Sequence, residues 1–161
     1  MDVRPTPDRL REALFNVLAP RIQALVFADL YAGSGAVGIE ALSRGAAKAI
    51  FVEQKFAAVR TIRENLRTLE IAGRAEVRQG RATAMIPRVE ADIVFLDPPY
   101  ALENEYAAAL GLLGEKPPAL VIVQHPPRLK LADRYGQLHL TRLLKQGDNA
   151  LSFYEPWATT G

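Results

Sequence analysis

The chain has no cysteine, a single tryptophan and only 7% aromatic residues in 161 positions. Without cysteine there are no disulfides, no thiolate chemistry and none of the ligands that hold the common structural zinc sites. No apolar run approaches the ~18 residues needed to cross a bilayer, and no charged-then-apolar leader opens the sequence. Neither sign of charge dominates, since 20 basic side chains face 18 acidic ones. These absences point to a cytoplasmic protein without a membrane segment or a metal site, and a monomer is the default expectation. What is present suffices for one domain: 49% of residues are hydrophobic, enough to build a single core at this length.

Along the chain there is no repeat, linker or low-complexity segment. The opening "RPTPDRLREALFNVL" reads as a helix, with Thr6 as N-cap, Pro7 at the first helical position and Asp8 in the first turn. Leu10, Leu14, Val17 and Leu18 then mark one apolar face. Next come a strand in "ALVFADL", a helix in "AVGIEALSRG" closed by Gly45, and a strand in "KAIFVE". "AAVRTIRENLRTLEI" is a helix with Val59, Ile62, Leu66 and Leu69 on one side. "AEVRQG", "ADIVFLD" and "ALVIVQ" are strands, and "EYAAALGLL" is a helix between the last two. Nearly continuous apolar strands separated by helices predict a parallel sheet covered on both faces. From Gly136 to Pro156 the pattern changes to two strands joined near Gly147-Asp148-Asn149, with Leu138, Leu140, Leu151 and Phe153 alternating. The expected fold is therefore α/β: one domain over 1–161, a doubly wound, mostly parallel seven-stranded sheet closed by an antiparallel C-terminal hairpin, with 1–20 as an N-terminal helix near the site.

Two stretches carry chemistry. "DLYAGSGAVG" holds Gly33-x-Gly35-x-x-Gly38 after a strand and before a helix, the context of an adenosine-nucleotide loop. Glu53 ends the next strand, where a carboxylate can accept hydrogen bonds from two ribose hydroxyls. NAD and S-adenosyl-L-methionine (SAM) both fit this far. Asp29, at the end of the first strand, favours SAM, because a carboxylate repels a pyrophosphate and attracts a sulfonium and an ammonium. The competing structural reading is that Asp29 caps the turn or the next helix.

The second stretch is Asp97-Pro98-Pro99-Tyr100, which follows a strand of almost wholly apolar residues. Asp97 emerges at the carboxyl edge of the sheet, where open α/β folds bind ligands. Proline after it restricts its backbone to the extended region. The Pro98 carbonyl is a second acceptor, and Tyr100 offers a flat face on which a base can stack. Two acceptors beside an aromatic plate suit an exocyclic amine on a heterocycle. Held by both N–H groups, such an amine turns its lone pair toward an electrophile, and the SAM methyl is one. A tight proline turn with a capping aspartate is the structural alternative.

Together "RPTPDRLREALFNVL", "DLYAGSGAVGIEALSRGA", "FVEQ" and "IVFLDPPY" resemble the RsmD family of SAM-dependent 16S ribosomal RNA (guanine-N2)-methyltransferases. The resemblance implies the SAM-dependent methyltransferase version of the Rossmann-like fold. It implies that Asp29, Tyr31, Gly33, Ser34, Gly35 and Gly38 surround the methionine part of SAM. Glu53 and Gln54 would hold the ribose, and Arg81 and Ala82 would lie by the adenine. It places Asp97, Pro98 and Tyr100 at a target guanine flipped from its stack. It puts Arg4 and Thr6 near the rim of the site, with Arg9 and Arg11 either on RNA phosphates or paired with Asp8 and Glu12. The partner it implies is ribosomal RNA, in an assembling small subunit. This sequence departs from the family pattern at several points. Lys55 stands where an acid is frequent. Arg81 stands where Asp or Asn commonly meets the adenine amine, and arginine cannot accept a hydrogen bond, so backbone or apolar neighbours would recognise that ring. Gln124 replaces a frequent glutamate, and His125 beside it reads equally as structural or functional. Family members usually carry a basic segment ahead of "RPT", so either an RNA-gripping surface is reduced here or the chain is a truncated form.

Three other readings remain open on the residues alone: an adenine-N6 methyltransferase, an NAD-dependent oxidoreductase, and a non-catalytic SAM-fold partner protein that binds RNA. The cations Arg128, Lys130, Arg134, Arg142 and Lys145, set against Asp133 alone, are either a solvated face or a nucleic-acid contact.

Overall fold

The structure, a computed structural model, describes residues 8–158, so the Thr6 cap and Pro7 lie outside the described residues. Helix α1 (Asp8–Leu18) buries Leu10, Leu14, Phe15 and Leu18. Val17 is only half-buried, so the apolar face turns slightly to include Phe15. Strand β1 (Val26–Leu30) leads into α2 (Ala36–Ser43), then β2 (Lys48–Glu53), α3 (Phe56–Thr68) and β3 (Ala75–Gln79). A one-turn helix α4 (Ala82–Met85) precedes β4 (Ile93–Leu96), α5 (Glu103–Glu115) and β5 (Leu120–His125). The chain ends in β6 (Arg134–Tyr135), β7 (Leu138–Gln146) and β8 (Asn149–Pro156).

The strands form one sheet in the order β3-β2-β1-β4-β5-β8-β7-β6. The first five are parallel and the last three antiparallel. The sheet has eight strands; the one beyond the expected seven is β6, two residues too short to leave a periodic signal. The C-terminal hairpin also lies deeper than a simple edge, because β8 pairs with β5 and β7 with β8.

Both faces are covered, as the uninterrupted apolar strands require. On one face Ala28, Leu30, Val94, Leu96, Val121 and Val123 pack against Tyr106, Leu110 and Leu113 of α5. On the other, Phe27, Ile93, Phe95 and Ile122 meet Leu10, Leu14 and Phe15 of α1, while Phe51 packs against Leu42, Ile62 and Leu66. Each such side chain contributes about 1.5–3 kcal/mol relative to exposure, so these two layers fix where the strand ends lie. Leu69 does not belong to the α3 face as its spacing suggests. It follows the last turn and is 54% exposed. The alternation of β7 breaks at Thr141, where a bulge between Leu140 and Arg142 shifts the register. Leu140 therefore packs toward the α5 layer and Leu144 toward the α1 layer.

No helix among the described residues is long and apolar enough to cross a membrane. No cluster of metal-ligating side chains occurs among them.

Candidate active site

The winding reverses between β1 and β4, and at that switch point the carboxyl ends of the strands open onto a cleft of about 670 Å³. A second cleft, of about 580 Å³, lies at the other end of the sheet around Val26, Asp92 and Pro117, away from the loops that carry the two motifs. Of the residues singled out in the sequence, Tyr31, Gly33, Glu53, Gln54, Arg81, Ala82, Asp97 and Pro98 lie on the wall of the first cleft. Asp29, Ser34, Gly35, Gly38 and Tyr100 do not. Arg4 and Thr6 lie outside the described residues.

Glu53 organises the loop that it faces. One carboxylate oxygen accepts the Gly33 N–H at 2.8 Å and the other accepts the Lys55 N–H at 2.9 Å. Each oxygen has a second lone pair, so the group can still accept two hydroxyls. Gly33 and Gly35 take left-handed backbone conformations, φ 57 and 82, which residues with a Cβ resist. Tyr31 does so too, at φ 62, an uncommon conformation for a non-glycine. Its hydroxyl donates to Glu105 at 2.5 Å across 74 residues of sequence. Burial, reinforced by this bond, pushes the phenol far above its ordinary value.

Two of the glycines also serve packing. A Cβ on Gly38 would lie 2.4 Å from the Phe51 ring, and one on Gly35 would lie 3.1 Å from Ile62. Both therefore allow α2 to pack closely on the sheet and α3.

Asp29 is 2% exposed and sits beneath the loop. Its carboxylate accepts the Gly38 N–H at 3.0 Å, which satisfies an otherwise orphaned donor in the first turn of α2. Burial raises its pKa well above the usual carboxylate range, and Asp97 and Glu53 add to the effect against the Gly38 bond. The structural reading of Asp29 as a helix cap is thus realised. A raised folded-state pKa favours folding most below the ordinary value of 3.8 and progressively less as pH rises toward the folded value. Asp29→Asn keeps an acceptor and removes that decline. Thermal melts from pH 4 to 8 should show a variant that gains on the native chain as pH rises; parallel curves would contradict the assignment.

At the second motif Asp97 is half-buried, Pro98 buried and Pro99 exposed. The Pro98 carbonyl does not point freely into the cleft, because it accepts the Tyr106 hydroxyl at 3.3 Å. Its second lone pair remains for another donor. The half-buried Tyr100 ring packs against the α5-side core, and its hydroxyl donates to Asn149 Oδ1 at 2.6 Å. The aromatic plate thus stands beside the cleft, tethered to the turn of the C-terminal hairpin.

Arg11 takes the ion-paired role of the two expected for it. Its guanidinium pairs with Glu40 at 2.8 Å and Asp8 at 3.2 Å, with Glu40 in place of the anticipated Glu12. Arg9 is exposed on α1. His125 is buried with both ring nitrogens engaged, Nδ1 near the Pro126 carbonyl at 3.0 Å and Nε2 near Ser152 Oγ at 2.7 Å. That is a structural role, and burial lowers its pKa. Gln124 is buried beside it, and its Oε1 finds no hydrogen-bond partner among the described residues. Leu102 and Glu105 are cleft residues that the sequence did not reveal. Their positions follow from strand order and from α5, not from any local pattern.

A reversed-winding sheet with its glycine loop and acidic–proline corner on one cleft defines the SAM-dependent methyltransferase fold. The solved structure of yhhF from Escherichia coli, a methyltransferase by description, superposes with a TM-score of 0.87 at 34% identity, covering 97% of this chain and 89% of that one. An RNA methyltransferase from Salinibacter ruber in complex with S-adenosyl-L-homocysteine shares the fold at TM-score 0.74 and 19% identity, over 97% of this chain and 96% of its own. Residues 1–155 match the family described as conserved hypothetical protein 95. The Bacillus subtilis protein YlbH, provisionally described as an rRNA methyltransferase, is 35% identical over 94% of this chain and 87% of its own length. Ribosomal RNA small subunit methyltransferase D of E. coli K12 is 46% identical over 61% of this chain, a match that spans half of that protein's length. The chain belongs to the RsmD family of methyltransferases.

Proposed function

We propose that the protein methylates the exocyclic N2 amine of a guanine in 16S ribosomal RNA, with SAM as methyl donor. One observation carries this reading: Glu53, Tyr31 and Gly33 share one cleft with Asp97 and Pro98. An adenosyl site therefore adjoins a pair of hydrogen-bond acceptors. The cleft volume lies within the range of small-molecule sites, about 300–1,000 Å³. Glu53 retains two acceptor positions for ribose hydroxyls. Gly80 and Arg81 supply the wall where the adenine would lie. Bound there, SAM supplies a methyl group on a positively charged sulfur.

The chain's own residues do the rest. Asp97 and the free lone pair of the Pro98 carbonyl accept the two amine N–H groups, which turns the nitrogen lone pair out of conjugation and toward the cofactor side. Positioning of this kind and charge stabilisation at Asp97 are the main sources of rate. Transfer would exchange the sulfonium S–CH3 bond for an N–CH3 bond, the electron pair staying on the departing thioether sulfur, and Asp97 or solvent would take the proton that the amine loses. In this reading the protein works as a cytoplasmic monomer on the RNA of an assembling small subunit.

Calorimetry tests the donor. SAM should bind in the micromolar range and NAD should give no heat; a clear NAD isotherm without one for SAM would overturn the reading. The Tyr100 tether gives a second test. A net hydrogen bond is worth about 1 kcal/mol, or roughly fivefold. Tyr100→Phe and Asn149→Ala should each lower kcat/KM for RNA by about that factor, and together by no more than either alone. Asn149→Asp, which keeps the acceptor, should restore most of the rate. Additive losses would mean that the two side chains act separately.

A further inference from the structure

The cations of the C-terminal third are left unused by the site described above. Three of them lie on segments that meet at the carboxyl end of β5, the loop that follows it and the end of β7. Lys145 pairs across the hairpin with Ala150, which pairs with His125, the last residue of β5. Arg128 and Lys130 follow His125 by three and five residues and flank Leu129, which packs against the α5-side core. All three cations are exposed. Their side of the sheet also agrees. Leu144 faces the α1 layer, so its neighbour Lys145 faces the other way, toward the layer that holds Tyr100 and Leu129.

The support beneath them is ordered. His125 is fixed through both ring nitrogens, and the Leu129 N–H donates to the Pro126 carbonyl at 3.0 Å. Gly147, with φ 59, opens a two-residue turn between Gln146 and Asn149, which locks the hairpin register. That turn delivers Asn149 to the Tyr100 hydroxyl. The Tyr100–Asn149 bond thus ties the Asp97 corner to the hairpin turn that follows Lys145, one strand pairing away from the end of β5 that leads to Arg128 and Lys130. From β4 to β7 is three strand spacings, about 14 Å, the reach of a short run of nucleotides. Asp148, in the turn, is the acid that follows Lys145 in the chain.

We infer that Arg128, Lys130 and Lys145 form a basic rim that grips the phosphates of single-stranded RNA flanking the target base. This inference rests on the RNA-methylation reading and adds the surface that holds the substrate strand. Phosphate contacts position a strand without reading its sequence, as a flipped-base enzyme requires beside its pocket.

The test compares Arg128→Glu/Lys130→Glu/Lys145→Glu with the native chain on in vitro transcribed 16S RNA. Arg67→Glu/Arg88→Glu, at the opposite end of the sheet, is the control. Each phosphate contact on single strands contributes about 0.7 to the slope of log affinity against log salt. The rim variant should lose about two units of that slope and bind RNA at least roughly tenfold more weakly at moderate salt. SAM affinity and melting temperature should stay unchanged, and the control should match the native chain. An unchanged slope in a folded rim variant overturns the inference. Failure of the methylation reading looks different: the native chain would then bind RNA without incorporating methyl groups.

Discussion

Asp97→Ala should lower kcat for methyl transfer by about 10²–10³-fold, the usual cost of losing a preorganised group at the reacting centre. SAM affinity should stay within about twofold, because the lost interaction is with the acceptor amine. The expectation follows from where the residue stands. Ile93–Leu96 are all buried and tightly registered between β1 and β5. Asp97 is therefore the first residue to leave the core at the cleft. Pro98 and Pro99 then hold the chain in a stiff turn. Asp97→Asn is the finer probe: it keeps an acceptor but loses the negative charge, so its rate should fall between those of the native and alanine forms. Single-turnover methyl incorporation beside SAM calorimetry separates the outcomes. A native rate in the alanine variant would place the acceptor site elsewhere, and a loss of SAM binding would make Asp97 a cofactor residue.

Gly38→Val should cost the fold several kcal/mol at most and lower its melting temperature measurably. The added Cβ would meet the Phe51 ring at 2.4 and 2.8 Å, and that ring is fully buried among Leu42, Ile62 and Leu66. Overpacking a well-filled core costs about 1–3 kcal/mol, sometimes more. At about 2–4 °C per kcal/mol for a chain of this size, 3 kcal/mol lowers the melting temperature by roughly 6–12 °C. The same shift loosens the Gly38–Asp29 bond that caps α2. Phe51→Leu in the same chain should recover part of the loss by making room. A stable Gly38→Val protein with poor SAM binding would instead make this glycine a ligand contact.

The sheet was readable because each parallel strand is a short, nearly unbroken apolar run, and because Gly45 and Pro98 punctuate the chain at real boundaries. The hairpin was readable from its alternating leucines and its Gly-Asp turn. Elements of two to four residues, β6 and α4, are too short to carry a period. The bulge at Thr141 hides the change of face along β7. Within the site, strand ends could be inferred, so Glu53 and Asp97 were found from position alone. Contacts made by distant segments could not: Tyr31 with Glu105, Tyr100 with Asn149 and Arg11 with Glu40 are set by strand order and by α5, not by neighbours in sequence. The role of Asp29 was legible only as one of two alternatives, of which the helix cap is the one the Gly38 bond shows. Its place at the end of β1 was plain, but whether it carries charge depends on burial that only the packed loop creates.

The central claim is that an acidic–proline corner presents an exocyclic guanine amine to a sulfonium donor in the neighbouring cleft. Mass mapping of 16S RNA recovered from assembling small subunits incubated with this protein and isotopically labelled SAM tests it most directly. The account predicts one labelled methyl, on the N2 position of a single guanine. Label on adenine N6, or none on RNA while SAM binds normally, would contradict it.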